Sequence, residues 1–202
     1  KSLWKHSWRD KSGMTRVTEV LAWVGNEELA KWRGRVGNRA ANAIGKQARG
    51  IGTQLHSYVE ARLKQKEVAL PDNPFELKMC CVAVSNWLDL NLIVPTAVET
   101  TIVEESLGLS GTPDLVTEAE VIDWKTSARF DWKHVWQIIA YMKLAGRETG
   151  RIVRLDKATG TWAEQVVAYD EEMYQGFLGL LRAYQTWGKK HGDAADSQID
   201  SD

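Results

Sequence analysis

The chain is poor in cysteine. Of its 202 residues only Cys80 and Cys81 carry thiols, and they are adjacent. Neighbouring Cα atoms sit ~3.8 Å apart, closer than disulfide geometry prefers, so the pair reads as two free thiols in a reducing, intracellular setting. Two thiols supply neither a four-thiolate zinc site nor an iron–sulfur cluster. Long apolar runs are missing too. None approaches the ~18 residues a membrane span requires, and the N-terminus has no apolar stretch of signal-peptide length. The first residue is Lys1 rather than Met, which reads as a trimmed start. No membrane partner is expected. Net charge is also nearly absent, at -1, which on its face argues against a polyanionic partner. That average hides a division. Residues 1–66 hold 14 Lys+Arg against 5 Asp+Glu, and residues 67–202 hold 12 against 22. A split of this size between segments is itself a signal.

The remaining composition, 44% hydrophobic and 26% charged, is that of a soluble globular protein. The length suits one α/β domain able to build a core without staples. The basic first third reads as helical. Thr18 is placed to cap a short turn, and Asn26 to start a second helix with Glu27 and Glu28 at its positive end. A helical stretch follows over 38–49, weakened or reset by Gly50 and Gly52. A further helix carries Ile51, Leu55, Tyr58, Val59 and Leu63 at helical spacing. After a break at 71–74, Asn73 and Pro74 open a helix that runs to about Asn91. Past Pro95 the pattern becomes short and β-branched, with strands predicted over 96–104, 112–117 and 120–125. A helix over 132–145, a hairpin of 151–155 with 161–168, and a helix capped by Asp170 complete the pattern. The predicted organisation is a single domain over 1–192, comprising a basic helical part (1–66) and an α/β core (73–192). An acidic, disordered tail is expected over 193–202.

The informative segment is Gly111-Thr-Pro-Asp-Leu-Val116 followed by Val121-Ile-Asp-Trp-Lys125. Residues i and i+2 of a strand share a face, so Asp123 and Lys125 project together and Trp124 points away. Asp114, on the preceding strand of a tight hairpin, converges on the same spot. Two aspartates within ~4 Å repel by about 4 kcal/mol at an effective dielectric near 20, so such a pair needs a cation or a shared proton. Mg²⁺ is the natural occupant, and beside a lysine it activates water for attack on a phosphodiester. On spacing alone, an exposed strand with one ion pair is the simpler reading. Acid-x-Lys recurs at Glu76–Lys78 and Asp131–Lys133, both at helix starts, where Asp131 serves more simply as a cap. His56 and Glu60 share a helix flank at i and i+4, as do Gln137 and Tyr141. Each has a plain structural alternative: a packed or surface histidine, and a satisfied hydrogen-bonding pair.

The order His56, Gly111-x-x-Asp114, Asp123-x-Lys125, Gln137-x-x-x-Tyr141 resembles the PD-(D/E)XK nuclease superfamily. It looks most like the RecB nuclease-domain branch, and is similar to the mitochondrial genome maintenance exonuclease and phage exonucleases. Upstream matches are Val17-Thr-Glu-Val-Leu21, Leu29-Ala-Lys-Trp32, Gly37 and Gly50-Ile-Gly-Thr53, so the resemblance covers roughly residues 14–145. It implies a restriction-endonuclease-like α/β core, with a mixed sheet of about five strands flanked by helices. It also implies that His56, Asp114, Asp123 and the Trp124 carbonyl bind Mg²⁺ or Mn²⁺, with Asp114, Asp123 and Lys125 catalytic. Lys125 would position or deprotonate the attacking water, a base role for which its pKa must be lowered. Gln137 and Tyr141 support the site. For Glu60 the resemblance implies one of three partners: a metal-bound water, a backbone amide or an arginine. Glu99 ranks below the others, as a residue that approaches the site or faces solvent. The cysteines of iron–sulfur relatives are absent. The expected location is cytoplasmic, in a host cell if the chain is phage-encoded.

The basic third then has a use. Arg16, Lys31, Arg33, Arg35, Arg39, Lys46 and Arg49 are interleaved with Trp23 and Trp32. Cations track phosphates, and exposed aromatics stack on unpaired bases at about 1–3 kcal/mol each. The expected activity is metal-dependent hydrolysis of DNA, as an exonuclease on single strands or ends. The alternatives are a non-catalytic nucleic-acid-binding module on the same scaffold, and a restriction-type endonuclease.

Overall fold

The computed structural model describes residues 13–25 and 27–188. Asn26 and the tail over 193–202 lie outside the described residues. In chain order the elements are β1 (Thr15–Arg16), α1 (Val17–Trp23), α2 (Glu27–Val36), α3 (Asn38–Leu63), α4 (Phe75–Leu90), β2 (Ala97–Val98) and β3 (Ile102–Glu104). A 3-10 turn at Glu105–Leu107 leads to β4 (Leu109–Gly111), β5 (Leu115–Val116), β6 (Val121–Lys125), α5 (Trp132–Ala145), β7 (Thr149–Leu155), β8 (Trp162–Ala168) and α6 (Glu171–Ala183). A π-helical turn, Tyr184–Gly188, extends α6. No helix among the described residues is long and apolar enough to cross a membrane.

The main sheet has five strands in the order β2-β5-β6-β7-β8. It is mixed: β6 and β7 run parallel, and the other pairs are antiparallel. The β6–β7 connection passes through α5, as a parallel pair requires. Period-two alternation sorts the strand residues into two cores. Val116, Val121 and Ile152 face α1, α5 and α6, whereas Leu115, Ile122, Trp124, Val153 and Leu155 face α4 and the second half of α3. Asp123 and Lys125 therefore stand on the α5 side. That helix approaches closely because Gly150 has no side chain; a Cβ there would lie 2.5 Å from Ile138 Cγ1 and 3.1 Å from Met142 Sδ. Gly150→Val is expected to lower stability by about 1–3 kcal/mol through overpacking. A urea midpoint equal to that of the parent chain would show that α5 yields at this contact without cost.

A second sheet, ordered β1-β4-β3, lies outside the five-strand expectation. It arises because the segment 96–104 is not one strand. Glu99 adopts φ 47°, the left-handed region that bulky residues avoid. The bend sends β2 to pair with β5 and β3 to pair with β4, in different sheets. The chain returns between sheets once more, from β4 to β5 across Thr112–Asp114.

Several local expectations give way to tertiary effects. Thr18 is not a cap; α1 begins at Val17 with Arg16 as its N-cap residue, whose backbone N–H donates to Glu19 Oε2 at 3.0 Å. Pro74 is the N-cap residue of α4 rather than its first helical residue. Gly50 and Gly52 do not interrupt α3. Each costs about 1 kcal/mol against alanine, but Ile51, Leu55, Tyr58 and Val59 bury against α4 and the sheet and hold the helix continuous. Helices α5 and α6 are capped as expected, Asp131 accepting from the Lys133 N–H and Asp170 from the Met173 N–H, both at 2.9 Å. The α5 cap is reciprocal: His134 Nδ1 accepts the Asp131 N–H at 3.2 Å.

Candidate metal and catalytic centre

The site forms at the seam between the two sheets. The hairpin register pairs Leu115 with Ile122, so one step further Asp114 stands opposite Asp123. Both are buried, at 5% and 2% exposure. Asp114 Oδ2 accepts the Trp124 backbone N–H at 2.7 Å. Its Oδ1 lies 3.1 Å from His56 Nδ1, delivered by α3. The same imidazole nitrogen lies 3.0 Å from Glu99 Oε1. Glu99 is held there by its own bend, since its N–H donates to the Asp114 carbonyl at 3.0 Å. Beside this bond the hydroxyls of Thr101 and Thr112 meet at 2.6 Å, tying the two crossovers together. Asp123 Oδ2 faces the Lys125 ammonium at 2.5 Å, and Oδ1 accepts from Gln137 Nε2 at 3.3 Å. The same Gln137 nitrogen donates to the Tyr141 hydroxyl at 3.1 Å.

Three ligand atoms, one each from His56, Glu99 and Asp114, lie within 4.8 Å of one another. One imidazole nitrogen and two carboxylates form a donor set suited to Mn²⁺ and, through the oxygens, Mg²⁺. Glu99, ranked last from sequence, is thus a full member of this cluster. Its signal is a backbone angle, which residue type does not announce.

The clustered charges shift one another's protonation. Burial alone would lower the His56 pKa, but hydrogen bonds to Asp114 and Glu99, and their charges, outweigh it and raise it to about 10. Asp114 is pushed up to about 6, chiefly by burial and then by the charge of Asp123, against the pull of His56 and Lys125. Burial also works to lower Lys125, yet the Asp123 and Asp114 charges prevail and its pKa is raised. That direction is opposite to the one a general base needs. Tyr141 is raised by burial and by Asp123, so its phenol stays protonated.

Other residues singled out from sequence lie apart. Glu60 is on the outer flank of α3, paired with Lys64 at 2.5 Å, and does not enter the cluster. The Trp124 ring packs edge-on against Trp87 on the far side of the sheet. The two competing acid-x-Lys pairs are structural: Lys78 pairs with Asp72 at 3.6 Å, and Lys133 donates to the carbonyls of Leu21 and Val24 at the end of α1. Arg16 pairs with Glu19 and lines a cleft of about 520 Å³ that also touches Thr18, Thr101, Ser110, Thr112 and Tyr141. The cleft therefore opens beside the cluster. Lys31, Arg33 and Arg35 are on α2, and Arg39, Lys46 and Arg49 on the first half of α3, where only Ala41 is buried. Arg33 donates to Asn42 Oδ1 at 2.7 Å, and Arg35, Arg39, Lys46 and Arg49 are exposed.

No protein-family model and no curated protein sequence matches the chain. Solved structures do. The crystal structure of an alkaline exonuclease, LHK-Exo, from Laribacter hongkongensis aligns over 94% of both chains with a TM-score of 0.54 and 12% identity. The same exonuclease in complex with dAMP aligns with a TM-score of 0.53 and 11% identity, again over 94% of both chains. A protein named SSO0001 aligns over 90% of this chain and 78% of its own, with a TM-score of 0.51 and 16% identity. At these identities the likeness is one of fold: this chain shares the mixed α/β architecture of these structures, with the restriction-endonuclease-like five-strand mixed sheet flanked by helices that the sequence leads one to expect.

Proposed function

We propose that the chain is a metal-dependent deoxyribonuclease of the RecB-like branch, acting as an exonuclease on single strands or DNA ends. The observation that carries this reading is the convergence of His56, Glu99, Asp114, Asp123 and Lys125 at one seam, with both aspartates buried and the other three half-buried. A purely binding scaffold has no need to bury repelling carboxylates. The fold shared with an alkaline exonuclease supports the same reading.

His56, Glu99 and Asp114 would hold Mg²⁺ or Mn²⁺, with Asp123 and the Trp124 carbonyl beside them. The bound cation supplies charge for the phosphodiester oxygens and acidity for the attacking water. The chain's own residues do the rest. Lys125, kept as an ammonium by Asp123, orients water and offsets charge developing on the phosphate. Gln137 fixes the Asp123 carboxylate, and Tyr141 fixes Gln137 from the floor of the cleft. Glu60 has no part in this arrangement. Residues 1–192 act as one domain, the α2–α3 region with Arg16, Lys31, Arg33, Arg35, Arg39, Lys46 and Arg49 tracking the DNA backbone.

Incubation with end-labelled single- and double-stranded DNA, with Mn²⁺ or EDTA, tests the proposal. Metal-dependent mononucleotide or short-oligomer release is expected from linear DNA, while circular DNA stays intact. Cut circles point to the endonuclease alternative, and no product under any metal points to the binding module. DNA affinity is expected to fall steeply, by at least about tenfold, between 50 and 200 mM salt, despite the near-zero net charge. Replacing Arg35 and Arg39 by Ala should flatten that dependence; an unchanged slope places the DNA elsewhere.

A further inference from the structure

We propose that His134 is a further catalytic residue, its Nε2–H donating a hydrogen bond to a non-bridging oxygen of the scissile phosphodiester. The proposal rests on the nuclease reading above. Three observations carry it. The first is orientation. His134 Nδ1 accepts the Asp131 backbone N–H at 3.2 Å, so this nitrogen carries no proton and the ring is locked as the Nε2–H tautomer. The imidazole is thereby a fixed donor whose N–H points away from the cap.

The second is placement. In a strand–helix–strand crossover, α5 runs back along β6, so the start of the helix lies at the carboxyl end of the strand. His134, Gln137 and Tyr141 follow at i, i+3 and i+7 and share one face. Gln137 already touches Asp123. One helical turn toward the helix start is His134, and two residues toward the strand end is Lys125. Three helix residues rise about 4.5 Å and two strand residues about 6.6 Å, so the two ladders stay within about 2 Å of each other over this step. His134 thus flanks Lys125 as Gln137 flanks Asp123.

The third is charge. Burial, then the nearby Lys125 ammonium, lower the His134 pKa, against the attraction of Asp123 and Asp131. The ring stays neutral at physiological pH, which preserves the cap bond and the direction of the Nε2–H.

His134→Ala is expected to reduce kcat/KM for DNA about 10- to 100-fold, the range for a hydrogen bond to a charged acceptor. His134→Gln retains both an acceptor for the Asp131 N–H and an N–H donor, and is expected to stay within about fivefold of the parent enzyme. Phosphorothioate DNA of defined stereochemistry separates donation from mere capping. For one diastereomer the slowing caused by sulfur should shrink in His134→Ala and persist in His134→Gln. If the alanine variant lacks a cooperative melt, His134→Glu replaces it, since it keeps the cap acceptor and has no N–H. Unchanged sulfur effects for both diastereomers in the donor-less variant, or parent-like turnover, overturn the proposal. So does a folded His134→Gln slowed more than tenfold. Parent protein inert toward DNA in every metal would instead overturn the nuclease reading itself.

Discussion

Asp123→Asn is expected to reduce DNA cleavage in Mg²⁺ or Mn²⁺ by about a thousandfold or more while leaving DNA binding intact. Asp123 is the hub of the arrangement. One oxygen takes the Lys125 ammonium, the other takes Gln137, and its charge is part of what raises Asp114 and Lys125. The amide keeps the shape and removes the charge, so Lys125 loses the partner that keeps it protonated and placed. Lys125→Ala is expected to abolish turnover as well, with a different effect on the fold. It strands a carboxylate that is 2% exposed, and breaking one side of a buried pair costs about 3–5 kcal/mol. Asp123→Asn also breaks the pair, but it relieves the repulsion with Asp114 and leaves the Lys125 ammonium beside that second carboxylate, so it should melt closer to the parent temperature than Lys125→Ala. The basic α2–α3 surface is untouched in both, so filter-binding or anisotropy should report parent-like affinity for DNA. Near-normal turnover in either variant would sink the mechanism.

Metal binding is expected to expel a proton. With its pKa raised to about 10, His56 is an imidazolium at neutral pH in the metal-free protein. A metal takes the neutral ring, so loading at pH 7.5 should release close to one proton per ion. Calorimetry in two buffers of different ionisation heat measures this directly. The same shift sets the direction of stability with pH. His56 binds its proton more tightly folded than unfolded, so its stabilisation is full below about 6.5 and is lost as pH rises through about 10. Asp114, raised to about 6, adds a loss between its unfolded value near 3.9 and that pH. Metal-free protein should therefore melt at a lower temperature at pH 9 than at pH 6, and Mn²⁺ should raise the melting temperature more at pH 9. His56→Ala should remove most of the high-pH slope. Absence of proton release at pH 7.5 would show that His56 is not a ligand.

Much of the site was legible because strand periodicity is rigid. Once β6 is recognised, Asp123 and Lys125 must share a face, and a tight hairpin must bring Asp114 opposite. The bounds of α5, with Asp131 as cap, follow from equally local rules. What escaped is what depends on distant partners. Gly50 and Gly52 look like breaks until the surface under α3 is known. Glu99 looks like a mid-strand residue, and only its bond to Asp114 and its place beside His56 favour φ 47°. The second sheet follows from that one angle. Glu60 illustrates the reverse error: correct spacing from His56, but on the flank turned toward Lys64.

The doubled crossover has a mechanical meaning. Glu99 and Asp114 each sit on a connection where the chain leaves one sheet for the other, and the cleft opens beside them. The carboxylates act as the two halves of a clasp. His56 Nδ1 joins the halves, reaching Glu99 at 3.0 Å and Asp114 at 3.1 Å. Fastened by an ion, the clasp would brace β3 and β4 against β2 and β5. Amide protons of all four strands should then exchange more slowly together on metal addition, as one unit rather than sheet by sheet. A cation held there would double as the pin on which the walls of the neighbouring cleft are set.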